Sequence, residues 1–156
     1  MPPQPARLQI VLIEPEIPHN TGAIGRSCLA TGAQLHLVHP LGFQLSAEQL
    51  RRSGLDYWQH VAPVMHDSLE AFLAVLPAEA QLCLFTTRAT VSLHETRIAP
   101  DSWLLFGPES RGLPDWLLER YPDKLLRIPM LDGPVRSLNL ANAVSIAAYE
   151  AWRQQA

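Results

Sequence analysis

Three segments of the chain carry unusually distinctive residues that could do chemistry. They are Asn20-Thr21-Gly22-Ala23-Ile24-Gly25-Arg26, then Phe106-Gly107-Pro108-Glu109-Ser110-Arg111-Gly112-Leu113, then Ile128-Pro129-Met130 with Arg136-Ser137-Leu138-Asn139-Leu140-Ala141-Asn142-Ala143 soon after. An arginine presents a planar cationic fork to a phosphate or a developing oxyanion, yet its pKa above ~12 makes it a poor base. Glu109 follows Gly107-Pro108, where an absent side chain lets backbone approach a ligand closely. Asn139 and Asn142 share one face of an otherwise apolar stretch; buried amides need partners, so this stripe marks a bound ligand or a helix-to-backbone network. Each residue also has an ordinary use. Arg26 points ~200° away from Ile24 and Cys28 on a helix, as a solvated arginine does. Asn20 and Ser137 suit helix caps, although Leu140 offers Ser137 no capping-box glutamate. Glu109 could pair with Arg111 or Arg136, and Phe85, Ile128, Met130 and Leu138 suit a core.

Several chemistries are disfavoured. No Gly-x-Gly-x-x-Gly follows a strand and no Gly-x-x-x-x-Gly-Lys loop exists, which argues against a Rossmann dehydrogenase and a P-loop NTPase. His19, His36, His39, His60, His66 and His94 lack metal-site spacing, so they read as surface or satisfied histidines and no metal is expected. Cys28 and Cys83 lie in apolar stretches outside any Cys-x-x-Cys pair, which fits a reducing cytosol. A net charge of -3 denies the chain a general positive field, so any polyanion must be met by local arginines. Arg51-Arg52 is the only adjacent basic pair, in a helix-like stretch whose ordinary reading is a solvated face.

The elements that must position these residues alternate in type along the chain. With 156 residues, 47% hydrophobic and 17% charged, one domain over 1–156 is expected, residues 1–6 forming a flexible tail. Neither a signal peptide nor a run of the ~20 apolar residues a membrane span needs is present, so a soluble protein is expected. Strand-length apolar runs at Leu8–Glu14, Gln34–His39, Gln81–Thr86, Trp103–Phe106 and Lys124–Ile128 alternate with helix signals, which predicts an α/β fold on a mostly parallel sheet. Asn20 or Thr21 would cap a helix running to about Thr31 and stopped at Gly32. Pro114 sits like a first-turn proline, with Asp115 placed to favour the helix dipole. Such sheets bind ligands beyond the carboxyl ends of their strands, where the three segments fall. From Ser137 to about Gln154, apolar residues surround almost the whole helix circumference, Tyr149 and Trp152 among them as core or interface aromatics. Such a helix lies beneath other segments or is covered by a second subunit, which makes a homodimer the expectation.

In order and spacing the three segments resemble the three motifs of the SPOUT class of RNA 2'-O-ribose methyltransferases, over nearly the full chain. Glu14-Pro15-Glu16-Ile17-Pro18, Arg51-Arg52-Ser53-Gly54-Leu55-Asp56-Tyr57 and Tyr149-Glu150-Ala151-Trp152-Arg153 look like its small tRNA (cytidine/uridine-2'-O-)-methyltransferase subgroup. The resemblance implies helices on both faces of the sheet, a C-terminal deep trefoil knot forming the cofactor pocket, and a dimer. It implies S-adenosylmethionine as cofactor, the anticodon stem-loop of tRNA as partner, and methylation of the wobble nucleotide of leucine tRNAs. It also assigns residues: Arg26, Ser137, Asn139 and Glu109 as catalytic; Phe85, Gly107, Ile128, Met130, Ser137 and Leu138 to the cofactor; and Asn20, Arg51, Arg52 and Arg136 to RNA. The rivals are methylation of another RNA such as rRNA, a non-catalytic knotted RNA-binding dimer, and a small enzyme acting on free nucleotides.

Overall fold

Runs of Val, Ile, Leu and Phe without polar alternation form strands buried on both faces, as a parallel sheet between helices requires. The computed structural model describes residues 7–46, 48 and 56–155; the expected tail at 1–6 and the Arg51-Arg52 pair lie outside the described residues. Strands β1 (Gln9–Ile13), β2 (Gln34–Val38), β3 (Val64–His66), β4 (Leu82–Phe85), β5 (Trp103–Phe106) and β6 (Leu125–Leu126) form one sheet in the order β3-β2-β1-β5-β4-β6. Every paired strand is parallel, with Leu12 opposite both Leu37 and Phe106 and Phe85 opposite Leu126. Five of these strands coincide with the expected apolar runs, trimmed at their ends. The sixth, β3, escaped pattern reading because it has three residues and sits at the sheet edge with Val64 and Met65 exposed.

Helices α1 (Pro18–Thr31), α2 (Trp58–Val61) and α5 (Leu140–Gln155) cover one face of the sheet, while α3 (Leu69–Val75) and α4 (Asp115–Arg120) cover the other. Helix α1 buries Ile24 and Cys28, and Gly25 admits the Trp58 ring, which a Cβ there would meet at 2.7 Å. It stops at Gly32, whose φ of 75° is the left-handed conformation that lets its amide reach the Cys28 carbonyl. Its start differs from expectation. Pro18 opens the helix and Ile17 is the cap residue, so Asn20 lies within the first turn, buried, and caps nothing. Pro114 precedes α4 as its cap residue, one position before the helix begins at Asp115.

The last helix starts at Leu140 rather than Ser137. The side chain of Asn139 takes the capping role, its Oδ1 accepting from the Asn142 amide at 3.2 Å. Helix α5 packs on α1, with Ser27 Oγ and Ser145 Oγ 2.8 Å apart. Gln154 ties its far end to the β4–β5 connection, accepting from the Ile98 amide and donating to the Thr96 carbonyl. Within one chain the helix is covered on one side only. Val144, Ala147, Ala148 and Ala151 are buried, whereas Ile146, Tyr149 and Trp152 are 40%, 48% and 50% exposed, so the two aromatics are not core residues of the chain. No helix of the described residues is long and apolar enough to cross a membrane.

Candidate active site

The strand order reverses between β1 and β5, and the carboxyl ends of β4, β5 and β6 open beside the start of α1 into a cleft of about 570 Å³. Phe85, Gly107, Ile128, Met130, Ser137 and Leu138, the six residues expected to hold cofactor, all line it. Asn20, Glu109 and Asn139 line it too. Its floor is the Phe85–Phe106 stack, with ring centroids 4.7 Å apart, and Ile128, Met130 and Leu138 add apolar wall. The residues 107–113 form a tight turn closed by the Gly112 amide on the Pro108 carbonyl at 2.8 Å. Gly107 is required there, since a Cβ would lie 2.2 Å from the Gly112 carbonyl carbon.

Glu109 pairs with neither Arg111 nor Arg136. Its Oε2 accepts from the backbone amides of Ile17 at 2.8 Å and Glu16 at 2.9 Å, directly ahead of α1. In return Glu16 Oε1 accepts from Ser110, both the amide at 2.8 Å and the hydroxyl at 2.7 Å. Burial pushes the Glu109 pKa up against the opposing pull of these amides, while the Ser110 hydrogen bonds hold Glu16 below the usual carboxylate range. Asn139 joins the other side of the cleft to the same helix, its Nδ2 donating to Asn20 Oδ1 at 3.0 Å. Asn139 and Asn142 are both exposed, so the expected stripe of buried amides is not found; the side-chain bonds are those of Asn139, to Asn20 and to the Asn142 backbone amide.

Two expected site residues stand apart. Arg26 is on the exposed side of α1, opposite Ile24 and Cys28 as the helical phase predicts, and does not line the cleft of its own chain. Its guanidinium lies over the Tyr57 ring, 5.7 Å from the centroid, and the Tyr57 hydroxyl donates to the Gly22 carbonyl. Arg136 is exposed beyond the lining. Sequence reasoning missed Thr86, Thr87, Arg88 and Arg111, which do line the cleft. The signal was available for the first three, which are polar residues directly after an apolar strand whose carboxyl end faces the ligand side. The Arg88 guanidinium bonds the Asp115 carboxylate at 2.6 Å.

Two of the histidines, His36 on β2 and His66 on β3, are hydrogen-bonded to each other. Gln9 Oε1 must accept from His36 Nε2, which leaves His36 Nδ1 to accept from His66 Nε2 at 3.0 Å. Burial first, then the neighbouring His66, drives the His36 pKa down to about 4. Among the described residues no three His, Cys, Asp or Glu side chains form a group that could hold a metal. Burial also raises the free thiols of Cys28 and Cys83, to about 12 and about 11, which makes them inert at neutral pH.

Residues 7–149 match the model of the SpoU rRNA Methylase family. A tRNA (cytidine(34)-2'-O)-methyltransferase of Saccharophagus degradans is 50% identical over 146 residues, covering 93% of this chain and 94% of the relative. One of the same name from Burkholderia ambifaria is 46% identical over 147 residues, with 93% and 94% covered. A solved structure described as "Structural insights into the 2-OH methylation of C/U34 on tRNA" superposes with a TM-score of 0.89 at 54% identity, covering 97% of each chain. An AdoMet-bound rRNA methyltransferase from Sinorhizobium meliloti superposes at 0.79 with 29% identity, over 98% of this chain and 58% of that one.

Proposed function

The chain belongs to the SpoU rRNA methylase family of methyltransferases, and from that premise we propose that it methylates the ribose 2'-hydroxyl of the tRNA wobble nucleotide, cytidine or modified uridine, with leucine isoacceptors as substrates. The observation that carries this reading is the convergence of Phe85, Gly107, Ile128, Met130, Ser137 and Leu138 with Asn20 and Asn139 on one cleft. The names of the relatives, covered almost end to end, support tRNA and the wobble position.

The cleft fits S-adenosylmethionine. Its volume is that of a small-molecule site, its apolar side suits a purine, and the backbone at Gly107 is bare for close approach. Bound there, that cofactor would supply an electrophilic methyl group on a sulfonium. Phe85, Ile128, Met130 and Leu138 would hold it and exclude water, with the Gly107 turn bearing on its other side. Ser137 and Asn139, which also line the cleft, would orient the ribose hydroxyl toward the bound cofactor. Arg26 holds the adjacent phosphate and stabilises the developing alkoxide.

Because Arg26 lies outside its own cleft, we assign it to the cleft of a partner subunit in a homodimer. The exposed Ile146, Tyr149 and Trp152 along α5 support such a contact, the Tyr149 and Trp152 rings lying 5.6 Å apart. The carboxyl end is proposed to be knotted, and the Gln154 tie to residues 96 and 98 supports the passage of α5 against the β4–β5 connection. Arg51, Arg52 and Arg136 would meet the anticodon stem-loop, with binding that falls steeply as salt rises. Free buried thiols fit work in the reducing cytosol. Mass spectrometry of tRNA nucleosides from cells with and without the gene tests the reading. Loss of the 2'-O-methylated wobble nucleotide in leucine tRNAs supports it, and unchanged wobble methylation refutes it.

A further inference from the structure

The junction between β1 and α1 is held under constraint from three directions. Glu14, the residue after β1, adopts φ 50°, a left-handed conformation that costs a side-chain-bearing residue energy and persists only where its surroundings enforce it. The next carbonyl, of Pro15, accepts from the Gly42 amide at 2.9 Å. Glu16 and Ile17 then give both amides to Glu109, while Glu16 itself reaches back to Ser110. The first turn of α1 has no side-chain cap of its own and no acidic residue. Its anionic complement comes from Glu109, more than ninety positions away in sequence, on the turn that forms the cofactor side of the cleft.

We propose that Glu109 is a positioning residue, whose carboxylate clamps the start of α1 to the 107–113 turn, so that filling the cleft fixes the helix that carries Asn20 and Arg26. The inference rests on the functional reading above for what those two residues do, but the clamp itself is a matter of geometry. A residue engaged in proton transfer needs a free oxygen pointed at the reacting atoms. Glu109 instead directs Oε2 at two backbone amides and brings Oε1 within 3.2 Å of one of them. The two halves are reciprocal: residue 16 receives from the turn and gives to it, so loosening either half frees both segments. Glutamine at position 109 can still present one oxygen to the Ile17 and Glu16 amides, whereas alanine leaves them bare.

The test uses the full-length protein and two readouts. Hydrogen exchange over residues 16–22, with and without S-adenosylmethionine, reports the clamp without requiring turnover. The wild type should gain protection there when the cofactor is added. Glu109→Ala should lose that gain while its cofactor affinity stays within ~3-fold, Glu109→Gln should keep most of it, and Ser110→Ala should show an intermediate loss. In methylation of tRNA, Glu109→Ala should lower kcat ~100-fold, the scale of a ~1 Å misplacement, with Glu109→Gln within ~10-fold of wild type. Exchange over 16–22 that ignores Glu109→Ala overturns the clamp, as does a Glu109→Gln enzyme that is inactive with exchange like the wild type. If wild type transfers no methyl group to tRNA, the functional reading falls and the exchange arm still decides the clamp.

Discussion

Gly107→Ala separates a close-packed cofactor turn from a merely flexible one. The added methyl carbon would stand 2.2 Å from the Gly112 carbonyl carbon, 2.3 Å from the Leu113 nitrogen and 2.6 Å from the Gly112 oxygen. All three are backbone atoms, so no side chain can swing aside. Contacts of a Cβ below 3.0 Å essentially do not occur, and the two arms of the turn must therefore part by at least about 0.8 Å. Overpacking of this kind costs ~1–3 kcal/mol, and with rigid neighbours the upper end is expected, a drop in Tm of ~6–12 °C for a chain of this size. The parting also shifts Glu109 and Ser110 against α1, so turnover should fall ~100-fold. Gly133→Ala is the control: its Cβ would meet nothing within 4 Å, and stability should stay within ~0.5 kcal/mol. The assay is denaturant unfolding and calorimetric titration with S-adenosylmethionine. A Gly107→Ala protein with wild-type stability and cofactor affinity would refute the packing argument.

Three further outcomes follow from the same geometry. His36, ordinarily near 6.5 and driven to about 4 in the fold, takes up its proton more readily when unfolded; stability is full above pH 6.5 and is lost as pH falls toward 4. Allowing for solvent screening the loss is ~2 kcal/mol, seen as a lower urea midpoint at pH 4.5 than at pH 7, and His36→Gln should flatten that difference. Asn139→Ala removes the α5 cap and strands Asn20 Oδ1, costing ~2 kcal/mol in urea unfolding, whereas Asn139→Asp keeps the cap and loses only the Asn20 contact; equal stabilities of the two variants would contradict the cap, and an Asn139→Asp protein as stable as wild type would contradict the Asn20 contact. Mixing Arg26→Ala chains with Asn139→Ala chains should restore about a quarter of wild-type activity if Arg26 serves the partner's cleft, since half the dimers are mixed and each has one intact site. No recovery would place Arg26 in its own chain's site.

The sheet was legible because its strands are buried on both faces and so appear as unbroken apolar runs, Leu82–Phe85 and Trp103–Phe106 most plainly. Strand β3 was not, since an edge strand of three residues, two of them exposed, leaves no periodic trace. The six residues that the family resemblance assigned to a cofactor do line one cleft, although by type alone most of them read as ordinary core residues. Local capping rules misplaced both key helix starts: α1 opens at Pro18 with no side-chain cap, and α5 is capped by Asn139 rather than Ser137, while Glu109 and Asn20 take partners remote in sequence that only the folded chain creates. The aromatic end of α5 was expected to be covered on nearly all sides, and within the single chain Ile146, Tyr149 and Trp152 are exposed.

The central claim, transfer of a methyl group to one particular sugar oxygen, is tested most directly with purified protein, methyl-labelled S-adenosylmethionine and two leucine tRNA anticodon stem-loops that differ only in a 2'-hydroxyl or a 2'-hydrogen at the wobble ribose. The account predicts label on the hydroxyl-bearing RNA, recovered in the 2'-O-methylated wobble nucleoside, and none on its deoxy counterpart. Equal labelling of the two RNAs, or label recovered on a base, would contradict it.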